Sequence, residues 1–254
     1  MPTTRLYYEL AYLWPIISPP EEYAEAAGHL HDAVRGKLGA GRHELLELGV
    51  GGGHNLSHLT GQFECTAVDL SPNMLALSKT LNPGVEHHLG DMRTVRLGKI
   101  FDAVLIHDAV SYLLTEADLR NTFATAAVHL RREGVLLVAP DWVSGIFPDG
   151  WVYTWERKQG DIEVEIEEAM VDWDPTDTQV ESSYTYTIKR NGATQVERDT
   201  HVTGLFPATT WVRLMEQAGF SVETIPLPLN EGGYGSWLFI GVYSGPNPRG
   251  GECG

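Results

Sequence analysis

Cysteine is nearly absent: Cys65 and Cys253 are the two in 254 residues. That excludes a disulfide-stapled scaffold and leaves no thiolate set for a zinc site. Cys65 falls in a predicted buried strand and Cys253 in the tail, so they are not read as a pair, and a reducing cytoplasm is the expected setting. Basic residues are also scarce. Eighteen Lys and Arg face 34 Asp and Glu, a formal charge of −16. Binding a phosphate backbone needs a basic surface, so the charge argues against a nucleic-acid partner and disfavours an anionic membrane. Long apolar runs are missing too. Leu6 to Ile17 is rich in apolar residues, but Glu9 and Pro15 interrupt it; it is too short to span a bilayer, and no signal peptide is visible. There is no internal repeat. What is present, 43% hydrophobic residues over 254 positions, suits one large α/β domain or a domain with an insertion. The expected partner is a small molecule, and a homodimer is compatible with this reading.

Glycine gathers in Glu47-Leu48-Gly49-Val50-Gly51-Gly52-Gly53. The run follows His43 to Leu46, which reads as a buried strand, and precedes a segment that reads as a helix. A glycine-rich turn there lets a ligand press against bare backbone beside the helix N-terminus. Its spacing separates two cofactor classes. A dinucleotide fingerprint wants G-x-G-x-x-G, and counted from Gly49 its third glycine falls on His54. The chain instead reads E-x-G-x-G-x-G, with Gly49, Gly51 and Gly53 behind an acid. This resembles motif I of the class I S-adenosylmethionine (SAM) methyltransferases. The resemblance implies that Glu47 reaches toward the methionine end of SAM, with S-adenosylhomocysteine as the product.

Later segments agree. Phe63 to Val68 reads as a second strand ended by Asp69, whose carboxylate can accept from both ribose hydroxyls; Leu70 beside it joins the cofactor set. Ser71-Pro72 then opens a helix, serine as N-cap and proline in the first turn. Val85 to Leu89 is a third strand, closed by Gly90-Asp91-Met92. The family resemblance implies that Asp91 faces the adenine and Met92 packs on its ring. Phe101 to Ile106 and Val135 to Ala139 are the fourth and fifth strands, the latter entered through Gly134. Such alternation predicts a Rossmann-like α/β fold, a mostly parallel sheet with helices on both faces. Ligands bind beyond the carboxyl ends of such strands, where the glycine loop, Asp69, Asp91 and His107-Asp108 all fall.

After the fifth strand the period changes. Val152 to Trp155, Ile162 to Val171, Val180 to Ile188 and Val196 to Leu205 alternate as strands, and Asn191-Gly192 is a type I′ hairpin signal. Pro207 to Ala218 reads as a helix stopped by Gly219. Phe220 to Ile225 and Trp237 to Tyr243 complete seven strands, the last antiparallel, which dinucleotide-binding domains lack. The expected layout is a helical lid over 1–40, a SAM-binding core over 41–148, an inserted antiparallel sheet covering the active site over 149–206, the rest of the core over 207–245 and a disordered tail over 246–254. Glu21 to Leu38 has a helical period. Tyr7 to Trp14 is aromatic on nearly every side, and reads either as a packing cap or as a lid that places a tyrosine near the methyl group.

Longer stretches resemble one subgroup, the N,N-dimethyltransferases of nucleotide-linked amino sugars in macrolide pathways. They are Tyr8-Glu9-Leu10-Ala11-Tyr12, Gly90-Asp91-Met92-Arg93 with Arg96-Leu97-Gly98, Asp149-Gly150-Trp151-Val152, His201 with Leu205-Phe206, and Leu238-Phe239-Ile240-Gly241-Val242. In that subgroup an aspartate stands where this chain has Glu47, and apolar or small residues where it has His107-Asp108.

Methyl transfer from a sulfonium is an in-line displacement with a neutral leaving group, and orientation alone can be worth on the order of 7–11 kcal/mol. An amine acceptor at neutral pH is mostly ammonium and must lose a proton to a histidine, a carboxylate or solvent. A hydroxyl needs a base or metal more urgently, and no metal-ligand pattern is evident, which favours an amine. An O- or C-methyl acceptor is the alternative, and a non-catalytic SAM-binding protein the alternative of another class. His107 and Asp108 follow the fourth strand where the methyl should sit, His107 counting also toward the cofactor. Tyr12, through the lid, and His201 complete the catalytic candidates. Tyr8, Tyr12, Trp142, Trp151 and Tyr153 are the candidates for the substrate wall, since aromatic faces attract cations. A substrate phosphate would draw on Arg157, Lys158 or Arg213. Two features read as structural: Glu163, Glu165, Glu167 and Glu168 as the solvent face of a strand, and His129 as a helix-dipole charge.

Overall fold

Strand β1 (His43–Leu48) is buried over its last four residues. It lies between parallel neighbours β2 (Phe63–Asp69) and β4 (Phe101–Ile106), and a strand covered on both faces needs the near-continuous apolar run read above. Beyond β2 lies β3 (Glu86–Leu89), and beyond β4 lies β5 (Leu130–Val138). The sheet ends with β11 (Trp237–Tyr243), antiparallel to both β5 and β10 (Phe220–Pro226). The order β10-β11-β5-β4-β1-β2-β3 is the expected mixed seven-stranded sheet. This computed structural model describes residues 4–227 and 237–245; the expected disordered tail lies outside them.

Strand β5 starts earlier than Gly134 suggests. Phe101 pairs with Leu130, and the register then slips before Ala103 meets Val135. The bulge absorbs Arg131-Arg132-Glu133, with Glu133 at φ 62° and Arg131 held by Asp102 at 2.6 Å.

Helices α1 (Trp14–Ile17) and α2 (Ala24–Leu38) precede the sheet, and α3 (His54–Leu59), α4 (Pro72–Leu81), α5 (Glu116–His129) and α6 (Ala208–Gln217) lie between its strands. One core joins β1, β4 and β5 to Phe123, Trp211, Leu214 and Phe239. A second packs Leu30, Val34, Leu56 and Leu59 on Leu45, Leu105 and Leu137. Each such side chain contributes about 1.5–3 kcal/mol by leaving water. His129 is buried, not a charge at a helix end. Its Nδ1 meets the Thr125 carbonyl at 2.8 Å, its Nε2 accepts the Leu97 N–H at 3.0 Å, and burial lowers its pKa, so it is neutral. Among the described residues no helix is long and apolar enough to cross a membrane.

Between β5 and α6 stands a separate antiparallel sheet, β6 (Val152–Gln159), β7 (Ile162–Val171), β8 (Gln179–Arg190) and β9 (Ala193–Gly204). Asn191 at φ 50° and Gly192 at φ 79° turn β8 into β9, the positive pair that a type I′ hairpin requires. One face buries Val164, Ile166, Tyr186 and Ile188 against Leu6, Leu10, Leu13, Ile16 and Ile17. Glu168 is on this inward face and 1% exposed, which corrects its placement in the solvent row. Glu163, Glu165 and Glu167 share the outward parity, and the strand's two-residue period turns Glu168 inward.

Candidate active site

The glycine loop is shaped by its neighbours. Gly49 and Val50 donate their N–H groups to the Val68 carbonyl, folding the loop over the end of β2. Gly53, at φ 80°, leaves no room: a Cβ there would lie 2.4 Å from both Asn82 Nδ2 and Ser78 Oγ. At Gly49 a Cβ would meet Ala109 Cβ at 2.3 Å and Met92 Cε at 2.9 Å, so Met92 lies over the loop. Asp69 accepts the Gly51 N–H at 2.7 Å and the Ser71 N–H at 2.8 Å, fixing its carboxylate with lone pairs to spare.

Glu47 is 2% exposed, and its Oε2 has no hydrogen-bond partner. Burial first, then the charges of Asp108 and Asp69, push its pKa up to about 8. A buried, unpaired carboxylate between other acids is costly unless something cationic completes it. The residues present therefore fit a cofactor with a positively charged amino-acid end.

At the ends of β4 and β5 the acids continue. His107 is buried and its Nδ1 lies 2.8 Å from Asp108 Oδ1. Asp108 in turn meets Asp141, which follows β5; burial, then the Asp108 charge, raise the Asp141 pKa well above the usual carboxylate range. Asp141 is also anchored through its N–H to Ser111 Oγ at 3.0 Å. Glu168 adds to the same field from β7 and accepts the Tyr184 hydroxyl at 2.5 Å.

A chain of hydrogen bonds runs beside these acids. Tyr7 and Tyr112 hydroxyls are 2.7 Å apart, Tyr112 reaches His201 Nδ1 at 2.8 Å, and His201 Nε2 reaches Asp199 Oδ2 at 3.1 Å. Asp199 also accepts the Leu6 N–H at 2.7 Å. Tyr7 belongs to a segment clamped on two sides. Ser71 Oγ and Asn73 Nδ2, at the start of α4, hold the carbonyls of Tyr7 and Tyr8, while Arg5 pairs with Glu197 on β9 at 2.9 Å. Trp14 lies on Gly52 and stacks on His54 at 5.9 Å.

The structure brings some expected residues together and not others. Glu47, Asp69, Met92 and Asp108 surround the loop and strand ends. Asp91 is there too, with both oxygens on Arg93, which bridges onward to Asp118. Leu70 is 58% exposed and Tyr12 48% exposed. Tyr7, not Tyr8 or Tyr12, enters the hydrogen-bonded chain; Tyr8 is half-buried and Tyr12 exposed. Trp151 and Tyr153 stack at 5.3 Å, and Tyr153 on Trp155 at 5.2 Å, in the row opposite Glu168. Trp142 packs on Phe147 at 6.3 Å. Arg157, Lys158 and Arg213 are each paired with a carboxylate, Glu22, Glu163 and Glu116 respectively. Tyr7, Tyr112, Asp141, Glu168 and Asp199 were missed as site residues.

A methyltransferase-domain family profile matches residues 45–134. A dTDP-3-amino-3,4,6-trideoxy-alpha-D-glucopyranose N,N-dimethyltransferase of Streptomyces venezuelae is 32% identical over 239 residues, 92% of this chain and 95% of the relative. Among solved structures, Streptomyces venezuelae DesVI superposes with a TM-score of 0.80 at 30% identity, covering 93% of this chain and 97% of the other. SAM-bound CalS10, an amino pentose methyltransferase from Micromonospora echinaspora, gives 0.77 at 26% identity, covering 92% and 95%.

Proposed function

The chain belongs to the SAM-dependent amino-sugar N,N-dimethyltransferases, and from that premise we propose that it methylates the amino nitrogen of an amino sugar twice. SAM, when bound, supplies an electrophilic methyl on a cationic sulfur. Glu47 would take the cofactor's amino group, Asp69 the ribose hydroxyls, and Asp91 with Met92 the adenine side. The glycine loop permits close approach of the backbone.

The observation that carries the amine is the Asp108–Asp141 pair at the ends of β4 and β5, backed by Glu168, across from which Tyr153 on β6 stacks between Trp151 and Trp155. Acids packed this closely favour a cation over a neutral hydroxyl, and stacked aromatic rings favour it further. The ammonium is thereby drawn to the strand edge where the methyl is delivered, and orientation supplies most of the rate.

The test is turnover of purified protein with SAM and a panel of amino sugars, nucleotide-linked and free, read by tandem mass spectrometry. One and then two methyls on nitrogen are expected. Methylation confined to oxygen or carbon, or no turnover on any amine, refutes the reading.

A further inference from the structure

We propose that Tyr7, Tyr112, His201 and Asp199 form a proton exit that strips the acceptor ammonium before each methyl transfer, with His201 as the terminal proton acceptor. The proposal rests on the amine reading above. Its geometry joins three separate parts of the fold: the N-terminal segment, the turn after β4, and β9. Successive hydroxyl and imidazole contacts of 2.7 and 2.8 Å are short enough for proton transfer along them.

Charge at the far end sets the direction. Asp199 is 7% exposed; burial raises its pKa, but the His201 and Leu6 hydrogen bonds outweigh it, so the group stays an acceptor. An ionised carboxylate can only accept, so His201 Nε2 carries a hydrogen toward it and neutral Nδ1 is an acceptor. Nδ1 then takes the Tyr112 hydroxyl proton as a hydrogen bond, and Tyr112 oxygen takes that of Tyr7. The Tyr7 oxygen is left with free lone pairs. His201 is 4% exposed and uses both ring nitrogens, whereas the Tyr7 hydroxyl has one partner, Tyr112, so the end of the chain with acceptor capacity left is Tyr7. That end lies beside Asp141, the acid assigned to the ammonium.

The step balances without an added reactant. The ammonium N–H bond breaks as an O–H bond forms on Tyr7. The Tyr7 proton moves to Tyr112, and the Tyr112 proton to His201 Nδ1. No electrons change hands, and the products are a neutral amine and an imidazolium facing Asp199. Asp141 faces both tyrosines, Tyr23 faces Tyr7, and Tyr186 faces Tyr112 and Asp199. The Tyr184 ring sits 4.6 Å from that of His201 and is tied to Glu168. Arg5 reaches Asp199 through its backbone N–H, while its guanidinium pairs with Glu197 and the Arg198 carbonyl. Dimethylation makes the step necessary twice, because the monomethyl product is again an ammonium; between the two transfers His201 returns its proton along the same hydroxyls through Tyr7 to solvent, which restores the neutral imidazole.

The same bonds pin the lid to β9, so the test has to separate a proton path from a brace. Tyr112→Phe removes one hydroxyl and keeps the ring. With saturating SAM and an amino-sugar acceptor, its kcat should fall about 100-fold near neutrality and approach the parent value above the amine's own pKa, where the acceptor arrives already neutral. Monomethyl product should accumulate at the lower pH. A pH-independent loss, or no loss, overturns the relay. If the parent protein methylates no amine, the acceptor reading fails and the relay with it; a flat deficit on a working amine substrate refutes the relay alone. The parent protein offers a check that needs no variant. Its turnover in mixed light and heavy water should show a curved dependence on deuterium content, and a linear or absent dependence also overturns the proposal.

Discussion

Glu47 ties the cofactor's affinity to pH. Its carboxyl is buried, lacks a partner at Oε2 and has a pKa of about 8 against the usual 4.5. Between those values the folded protein holds a proton that the unfolded chain has lost, so the stability of the ligand-free protein falls as pH rises through that window. At about 1.4 kcal/mol per pH unit the penalty is on the order of 5 kcal/mol. A cationic amino group seated against Glu47 reverses the preference and requires the ionised form. Near pH 6.5 the free protein is almost wholly protonated there, while the cofactor's α-amino group is already charged, having a pKa of about 8. Binding must then release close to one proton, and affinity should tighten about twentyfold between roughly pH 6.0 and 7.5. Titration calorimetry in buffers of different ionisation enthalpy reads both quantities. Glu47→Gln should show no proton release, a flat pH profile, and a Kd about 10- to 100-fold weaker than the parent near pH 7.5. Equal proton release from the variant, or none from the parent, would show that Glu47 does not face the cofactor's cation.

Further outcomes follow from the same geometry. Gly53→Ala puts a Cβ on Asn82 and Ser78 at a left-handed backbone position; it should cost about 2–3 kcal/mol, lower Tm by about 4–12 °C and weaken SAM binding, as a thermal melt with and without SAM would report. His54 is buried and its pKa is lowered to about 4, chiefly by burial. Stability should therefore be lost as pH falls from 6.5 toward 4, by about 3 kcal/mol, and His54→Phe should flatten that slope in urea titrations. The Glu47 and His54 slopes oppose one another below pH 6.5, so variant minus parent is the quantity to compare. Trp151→Ala removes one end of the β6 stack and should raise the acceptor KM about tenfold with SAM affinity unchanged; an unchanged KM would take the stack out of the substrate wall.

How much of this was legible in the residues depends on the range of the forces involved. The strand ends were legible because apolar runs closed by Gly49, Asp69 or His107 carry their own punctuation, and Asn191-Gly192 fixes its turn locally. The start of β5 was not, because its first pairs lie across a bulge held by the Arg131–Asp102 contact. Nor was the choice of tyrosine. Tyr7, Tyr8 and Tyr12 share no simple period, and the partners that distinguish Tyr7 are remote: its hydroxyl meets Tyr112, 105 residues away, and the Leu6 N–H before it meets Asp199, 193 residues away. Asp141 had a weaker signal, an acid closing a buried strand as Asp69 does.

The inserted sheet shows a signal that local reading passed over. Ile162, Val164 and Ile166 set the inward parity of β7, and Glu168 shares it; in the paired register Tyr184 and Asp199 lie in the same row, with His201 in the next. A polar side chain at an inward position violates the pattern that buries the rest of the face, and it persists only where it is satisfied or put to use. Glu168, Asp199 and His201 are all buried and all hydrogen-bonded. The violations cluster at one end of the sheet, beside Trp151 and Tyr153, while the other end is filled by Val164, Ile166 and Ile188 packed on the N-terminal segment. The insertion thus divides its inward face between a packed anchor and a polar, aromatic end, and that polar end is the part of the sheet that the proposed amine site draws on.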